Sequence, residues 1–265
     1  MSALTKRNIG RRTFQWTTFL VAAIFFFLPL WAVLRFSFRD PFRHVVTTEY
    51  WRQVFVSSNG LVGPIRSSFE LAGVTVIAML VLLVPTAIWT HLRVPQMRRI
   101  IEFLCLLPLV IPALALAVGI KDVYSWVFYY LGHGPLTLTF IYVILVLPYA
   151  YRSIDTSLSA LDLTTLAEAA RSLGSGWWRI IVRIILPNIK SGILGAVFLS
   201  IALALGEYTF ASLLVYKTLP TALVQVEQNA VGVAMAATFA TILVIALLLV
   251  IISALDQRKI VRKGN

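Results

Sequence analysis

The sequence predicts an all-α polytopic membrane protein with six transmembrane helices, both termini cytoplasmic, and a helical cytoplasmic loop between helices four and five. Three observations predict it. Apolar residues make up 59% of the 265 residues and charged residues 13%, where a soluble domain holds about 45–50% and about 25%. That leaves too little polar surface to cover the apolar load. The apolar residues also fall into six continuous blocks, each near the ~20 residues a helix needs to cross a bilayer. Finally, lysine and arginine segregate to alternate loops, as topology requires.

The first block, 14–34, carries the Phe25-Phe26-Phe27 run. Basic residues before it imitate a signal peptide. The apolar stretch is too long for an h-region, however, and Arg35 to Asp40 follows in place of a small-residue cleavage site. A retained first helix is expected. The second block is 71–89 with Pro85 inside, and the third is 100–120 with Pro108 and Pro112. The fourth, 136–151, is shorter, with Pro148 near its end; the fifth is 193–215 and the sixth 230–254. None alternates as a barrel strand would, so helices are the remaining way to satisfy the backbone in lipid.

Charge sets the orientation. Lys6, Arg7, Arg11, Arg12, Arg93, Arg98, Arg99, Arg152, Arg171, Arg179, Arg183, Lys190, Arg258, Lys259, Arg262 and Lys263 share one side. Arg35, Arg39, Arg43, Arg52, Arg66, Lys121 and Lys217 share the other. Sixteen against seven puts both termini in the cytoplasm. The net charge of +12 is therefore a topology signal, and no nucleic-acid partner is expected. One cysteine, Cys105, excludes an intrachain disulfide framework. His44, His91 and His133 lack metal-ligand spacing, so neither a metal site nor a catalytic site is expected.

Two loops are long. In the external one, Tyr50-Trp51 and Val54-Phe55 suit either a short interfacial helix or aromatic-belt anchoring, and the belt is favoured. The internal one, 152–192, is more informative. Thr165-Leu-Ala-Glu168 has capping-box spacing, so a helix is expected to start at Thr165. Gly174 suits the left-handed residue that ends it. Ser175 is placed to cap a second helix through Trp177, Ile180, Ile181 and Ile184, and Pro187 breaks that run or starts the next. Leu166, Ala170 and Leu173 share helical spacing and form a small apolar ridge, with Glu168 and Arg171 beside it. A partner could grip such a projection; equally, it could lie on lipid.

Glu168-Ala169-Ala170, three residues, Gly174, nine residues, Ile184, one residue, then Leu186-Pro187 resembles the EAA motif of type I bacterial ABC-importer permeases at every fixed position. Leu106-Leu107-Pro108 through Pro112 resembles the proline-rich third span of the same family. The resemblance covers residues 66–254 as a transmembrane core. It leaves 1–65 as a tail, first helix and external loop, and 255–265 as a basic cytoplasmic tail. It implies that the 164–187 loop carries a coupling helix. There Glu168, Ala169, Ala170, Arg171, Gly174 and Pro187 make or shape the contact with a separate ATPase. It further implies an ATPase subunit dimer, a second and different permease subunit, and an extracytoplasmic substrate-binding protein as partners in the bacterial inner membrane. No Gly-x-x-x-x-Gly-Lys-Ser/Thr sequence occurs. No cofactor is expected on this chain; ATP and Mg belong to the ATPase.

Ionisable residues inside spans usually face a cavity or a partner. Glu207 lies in span five beside Tyr208, Thr209 and Ser212, and Glu70 lies near the external end of span two. Both are candidates for the translocation path, with Tyr142 on span four at similar depth. The structural alternative is that Glu207 bonds Tyr142 or a backbone group. The Gly206-Glu207-Tyr208-Thr209 stretch resembles permeases of the spermidine/putrescine group, whose relatives carry ferric iron, thiamine or 2-aminoethylphosphonate. A polyamine is the first expectation for the solute. A secondary transporter is the other-class alternative, though no internal repeat supports it.

Overall fold

The computed structural model describes residues 2–39, 45–56 and 60–261, with side chains described for Arg12 and 14–254 within those stretches. The basic residues Lys6, Arg7, Arg11, Arg43, Arg258, Lys259, Arg262 and Lys263, like His44, lie outside the described side chains. Among the described residues the fold is helical, with one isolated bridge between Arg39 and Val46. Among the described residues, five helices are long and apolar enough to cross a membrane, or up to six if a bent pair is one span.

Residues 1–59 and 223–243 form one compact unit. Within it, α1 (Ser2–Ser37) contains the first expected span. None of that span's core window is buried, as a lipid-facing or partner-facing helix requires. α2 (Glu49–Val54) is a real short helix. Its aromatic residues do not simply anchor a belt, as favoured from sequence. Trp51 stacks on Phe38 at 5.4 Å and meets the edge of Phe239 at 6.2 Å. Tyr50 packs so tightly on Gly232 that a Cβ there would overlap its ring.

Residues 60–222 and 244–265 form the other unit. α3 (Val62–Arg93) has 32 residues, longer than the 71–89 block. At 1.5 Å per residue it spans about 48 Å, so its ends reach past a ~30 Å hydrocarbon core. A 3₁₀ turn, Pro95–Met97, leads into α4 (Arg98–Val110). The expected continuous third span is then broken: α4 and α5 (Ala113–Gly119) meet at 104°. Pro112 cannot donate to the helix ladder and forces the residue before it out of the helical region. Ile111 is accordingly extended, at φ −85°, ψ 124°. α6 (Lys121–Leu131) follows.

The fourth span is also longer than 136–151. A 3₁₀ turn, Pro135–Leu138, runs into α7 (Thr139–Ser159), giving 25 residues with Pro148 near the middle rather than near the end. α7 packs on α11 (Lys190–Gly206) through small residues. Ser153 donates to the Gly192 carbonyl at 2.8 Å, and a Cβ on Gly192 would lie 2.6 Å from the Ser153 carbonyl oxygen. Small residues of this kind let helix backbones approach within membranes. One buried cluster joins α3, α7 and the start of α11 around Met79, Ile88, Ile154 and Leu158; a second gathers Leu71, Tyr124, Tyr142 and Phe210.

Candidate functional site

Between α7 and α11 the chain builds α8 (Leu163–Ser172). It starts two residues before the expected Thr165, because Asp162 is the cap. The Thr165 amide donates to the Asp162 carboxylate at 3.2 Å and the Thr165 hydroxyl donates at 2.7 Å. These bonds hold the Asp162 carboxyl below the usual carboxylate range. Thr165 is thus the recipient of the cap rather than its source.

α8 has two unlike faces. Leu163, Ala167 and Ala170 recur at i, i+4 and i+7 and are buried in the cluster shared with α3 and α7. Glu168, Ala169 and Arg171 are exposed. Leu166 is 38% exposed and Leu173 is 86% exposed. The expected ridge of Leu166, Ala170 and Leu173 is therefore corrected. Ala170 turns inward and anchors the helix, while Leu166, Ala169 and Leu173 form the outward apolar strip.

Gly174 ends α8 as expected, with φ +78°. Its amide donates to the Arg171 carbonyl at 2.9 Å and the Ser175 amide to the Ala170 carbonyl at 3.0 Å. This bond pair is a Schellman motif. The next helix, α9 (Trp177–Ile180), has Gly176 at its N-cap with no side-chain bond, so Ser175 does not cap it. Helical winding continues through a π-turn at Ile181–Ile185 into α10 (Leu186–Asn188). Pro187 therefore sits in the first turn of the next helix, the second of the two expected outcomes. A proline in a helix's first turn lacks only an N–H that would have no partner within the helix.

Trp177, expected only as part of the second helix, carries two cations. The Arg171 guanidinium lies 5.3 Å from its ring centroid, and that of Arg93, the last residue of α3, lies 4.6 Å away. Stacking of this kind favours arginine, and it links α8 and α3. Nearby, Asp155 on α7 accepts two bonds from Arg98, at 3.0 and 2.8 Å. His91 on α3 contributes Nε2 at 3.3 Å from Asp155, with Nδ1 2.9 Å from the Ala87 carbonyl. Arg152 on α7 pairs with Glu102 on α4 at 3.3 Å. An apolar block ending at 151 leaves Asp155 in a loop, whereas α7 carries it on to Ser159.

The second candidate group sits where α11 ends. Glu207 is extended at φ −76°, ψ 118°, and breaks the fifth span before α12 (Thr209–Leu213). Its carboxylate accepts the Thr209 amide at 2.7 Å, the Phe210 amide at 3.2 Å and the Tyr142 hydroxyl at 3.1 Å. Glu207 thus bonds both Tyr142 and freed backbone amides. Tyr142 and Thr209 join it; Ser212 donates instead to the Thr209 carbonyl at 2.9 Å, and Tyr208 stands 44% exposed. Glu70 makes an exposed ion pair with Arg66, one turn earlier, at 2.7 Å, and no hydrogen bond joins it to Glu207 among the described residues.

Comparison with known proteins agrees with this architecture. The chain is 38% identical over 80 residues to the phosphate transport system permease protein PstC of Xylella fastidiosa, covering 29% of this chain and 24% of that protein. It is 34% identical over 116 residues to the phosphate permease protein PstA of Pasteurella multocida, covering 43% of this chain and 40% of that protein. The molybdenum transport system permease protein ModB of Azotobacter vinelandii is 26% identical over 155 residues, 54% of this chain and 68% of that protein. The chain thus spans less than half the length of the two phosphate permeases it matches. Residues 83–261, containing α8 and the broken fifth span, match a single family over most of the chain, so this protein belongs to the binding-protein-dependent transport system inner membrane components.

Proposed function

We propose that this chain is one permease subunit of an ATP-driven importer in the bacterial inner membrane. It would form half of a pore with a second, different permease subunit and receive solute from an extracytoplasmic binding protein. It would couple to a separate ATPase pair through α8. The observation that carries this reading is the two-faced α8. Leu163, Ala167 and Ala170 anchor it in the core, while Glu168, Ala169 and Leu173 are exposed and Leu166 is partly so. A helix held on one face and bare on the other transmits a push as a rigid lever. ATP and Mg would act on the ATPase, whose closure favours one of two pore states.

The test is co-purification from mild detergent with mass spectrometry of the associated chains. A bound ATPase, lost on Glu168→Lys with the permease still folded, is expected. A folded, monodisperse chain that brings down no ATPase would refute the reading and restore the secondary-transporter alternative.

For the solute, the polyamine expectation rests on the resemblance of the Gly206-Glu207-Tyr208-Thr209 stretch, to which an acidic pair in the path would add little. Glu207 is spent on three donors and Glu70 on Arg66. A small oxyanion is the second reading, favoured by these engaged carboxylates and by the phosphate and molybdenum systems named for the similar permeases. Uptake of labelled phosphate against labelled spermidine, with the co-purified binding protein present, separates the two.

A further inference from the structure

We propose that the apolar groove between the end of α3 and the α9 turn is a binding site for one anionic phospholipid, with Arg93 holding its phosphate. The inference rests on the membrane orientation proposed above, which puts this end of α3 at the cytoplasmic leaflet. The groove has a volume of about 330 Å³ and is walled by Val84, Pro85, Ile88, Trp178, Val182 and Leu186. Its lining is almost wholly apolar, and Arg93 is its one charged residue. From Val84 to Arg93 is nine residues of helix, about 13 Å along the axis, which gives the slot the length of a substantial part of an acyl chain.

The charge on Arg93 has no carboxylate partner among the described residues. Arg98 is spent on Asp155, and Arg152 on Glu102. The Arg93 guanidinium is held instead against Trp177, and 6.0 Å from the Trp89 ring. Trp89 and Trp178 are 63% and 79% exposed, although tryptophans on a membrane protein seek the headgroup level, where one edge is wet and the ring is apolar. A fixed, unpaired guanidinium at that level, above an apolar slot, complements a phosphate with its chain below. Basic pockets between membrane helices take anionic headgroups for this reason. The planar fork of arginine suits the phosphate geometry.

The test is native mass spectrometry of the intact importer complex after detergent delipidation. Phosphatidylglycerol and phosphatidylcholine with the same acyl chains are titrated in separately. One tightly retained phosphatidylglycerol per copy of this chain is expected, in preference to phosphatidylcholine. Arg93→Gln should weaken phosphatidylglycerol retention about fivefold, the effect of one basic residue at a membrane surface, and leave phosphatidylcholine unchanged. Val182→Trp, which fills the slot, should remove the retained lipid while Arg93 remains. Equal retention of both lipids by the native complex would overturn the proposal. So would chemical cross-linking from Trp178→Cys to the ATPase or the second permease, since the groove would then be a protein interface. ATP hydrolysis and subunit stoichiometry, recorded on the same samples, report on the importer reading separately.

Discussion

Gly174 gives the sharpest handle on the coupling reading, because its surroundings isolate one physical cause. The residue sits at φ +78°, yet a Cβ built there meets no atom within 4 Å. A Cβ added there therefore meets no packing obstacle, and the penalty that remains is backbone conformation. An L-residue with a Cβ in the left-handed region costs about 1–2 kcal/mol, a factor of roughly 5–30 in a local equilibrium. Asparagine tolerates that region better than alanine, and a β-branched residue tolerates it worst. The order Gly, Asn, Ala, Val should thus be followed by the integrity of the two capping bonds, from Gly174 to the Arg171 carbonyl and from Ser175 to the Ala170 carbonyl. Without them, α8 frays at the end that presents Leu173. The assay is ATP-driven uptake in proteoliposomes beside ATP hydrolysis and subunit stoichiometry. Uptake per ATP should fall along the series while the permease core stays folded. Gly174→Val with full coupled uptake would refute the reasoning, as would Asn and Val variants that behave alike.

Four further outcomes follow from the geometry. Replacing Glu207 with Ala strands the Thr209 and Phe210 amides and the Tyr142 hydroxyl, and should lower stability by about 1–3 kcal/mol, read as thermal unfolding. Glu207→Gln keeps an acceptor and should lose less; the reverse order would reject the capping role. Asp155→Asn removes the charge that holds Arg98 and should cost about 1.5–3 kcal/mol, and an unchanged unfolding midpoint would show the cluster to be idle. Gly192→Leu forces a side chain into the Ser153 carbonyl and should abolish the folded permease, whereas Gly206→Ala, at a site where a Cβ meets nothing within 4 Å, should not. The Asp162 cap has a pH sign. Its carboxyl is depressed in the folded state, so the cap contributes above the unfolded carboxyl range and is lost as pH falls through the lower, folded value. Relative to Asp162→Asn, the native chain should lose coupled uptake as the medium is acidified into that range; parallel profiles would dismiss the cap as a factor.

The spans were legible because crossing a bilayer demands long apolar runs, and such runs are visible one residue at a time. Direction is not visible in that way. Hydropathy reads 100–120 as one segment, while Pro112 turns it through 104° after Ile111. The boundary of α8 was misplaced for a related reason. Asp162-x-x-Thr165 and Thr165-x-x-Glu168 have the same capping spacing, and choosing between them needs to know which residue leaves helical backbone first. Gly174 was legible because a glycine past a helix has few other uses. Glu207 stands out in the sequence, but its bonds depend on helix α11 ending at Gly206 within the 190–213 span, which nothing in the surrounding apolar run announces. Trp177 was illegible because its cations come from residues six and eighty-four positions away.

These particulars also decide how α8 can act. Its buried stripe belongs to the same cluster as Met79, Ile88, Ile154 and Leu158 of α3 and α7, and Trp177 ties Arg171 to Arg93 at the foot of α3. Close-packed cores do not deform by degrees, so a displacement of α8 must carry α3 and α7 with it or break their packing. α11 follows, because Ser153 and Gly192 leave no slack between it and α7. The far end of α11 is the Glu207 break, where the chain is held by three hydrogen bonds rather than by a continuous helix. If a push on α8 is to change the pore, this break is where α11 can swing relative to α12 without unravelling. A spin-label pair across it, on Leu199 and Leu213, should therefore change distance between nucleotide-free and ATP-bound complexes. A pair within α11, on Ile193 and Leu199, should not. Equal invariance of both pairs during active transport would move the hinge elsewhere and leave Glu207 a purely static cap.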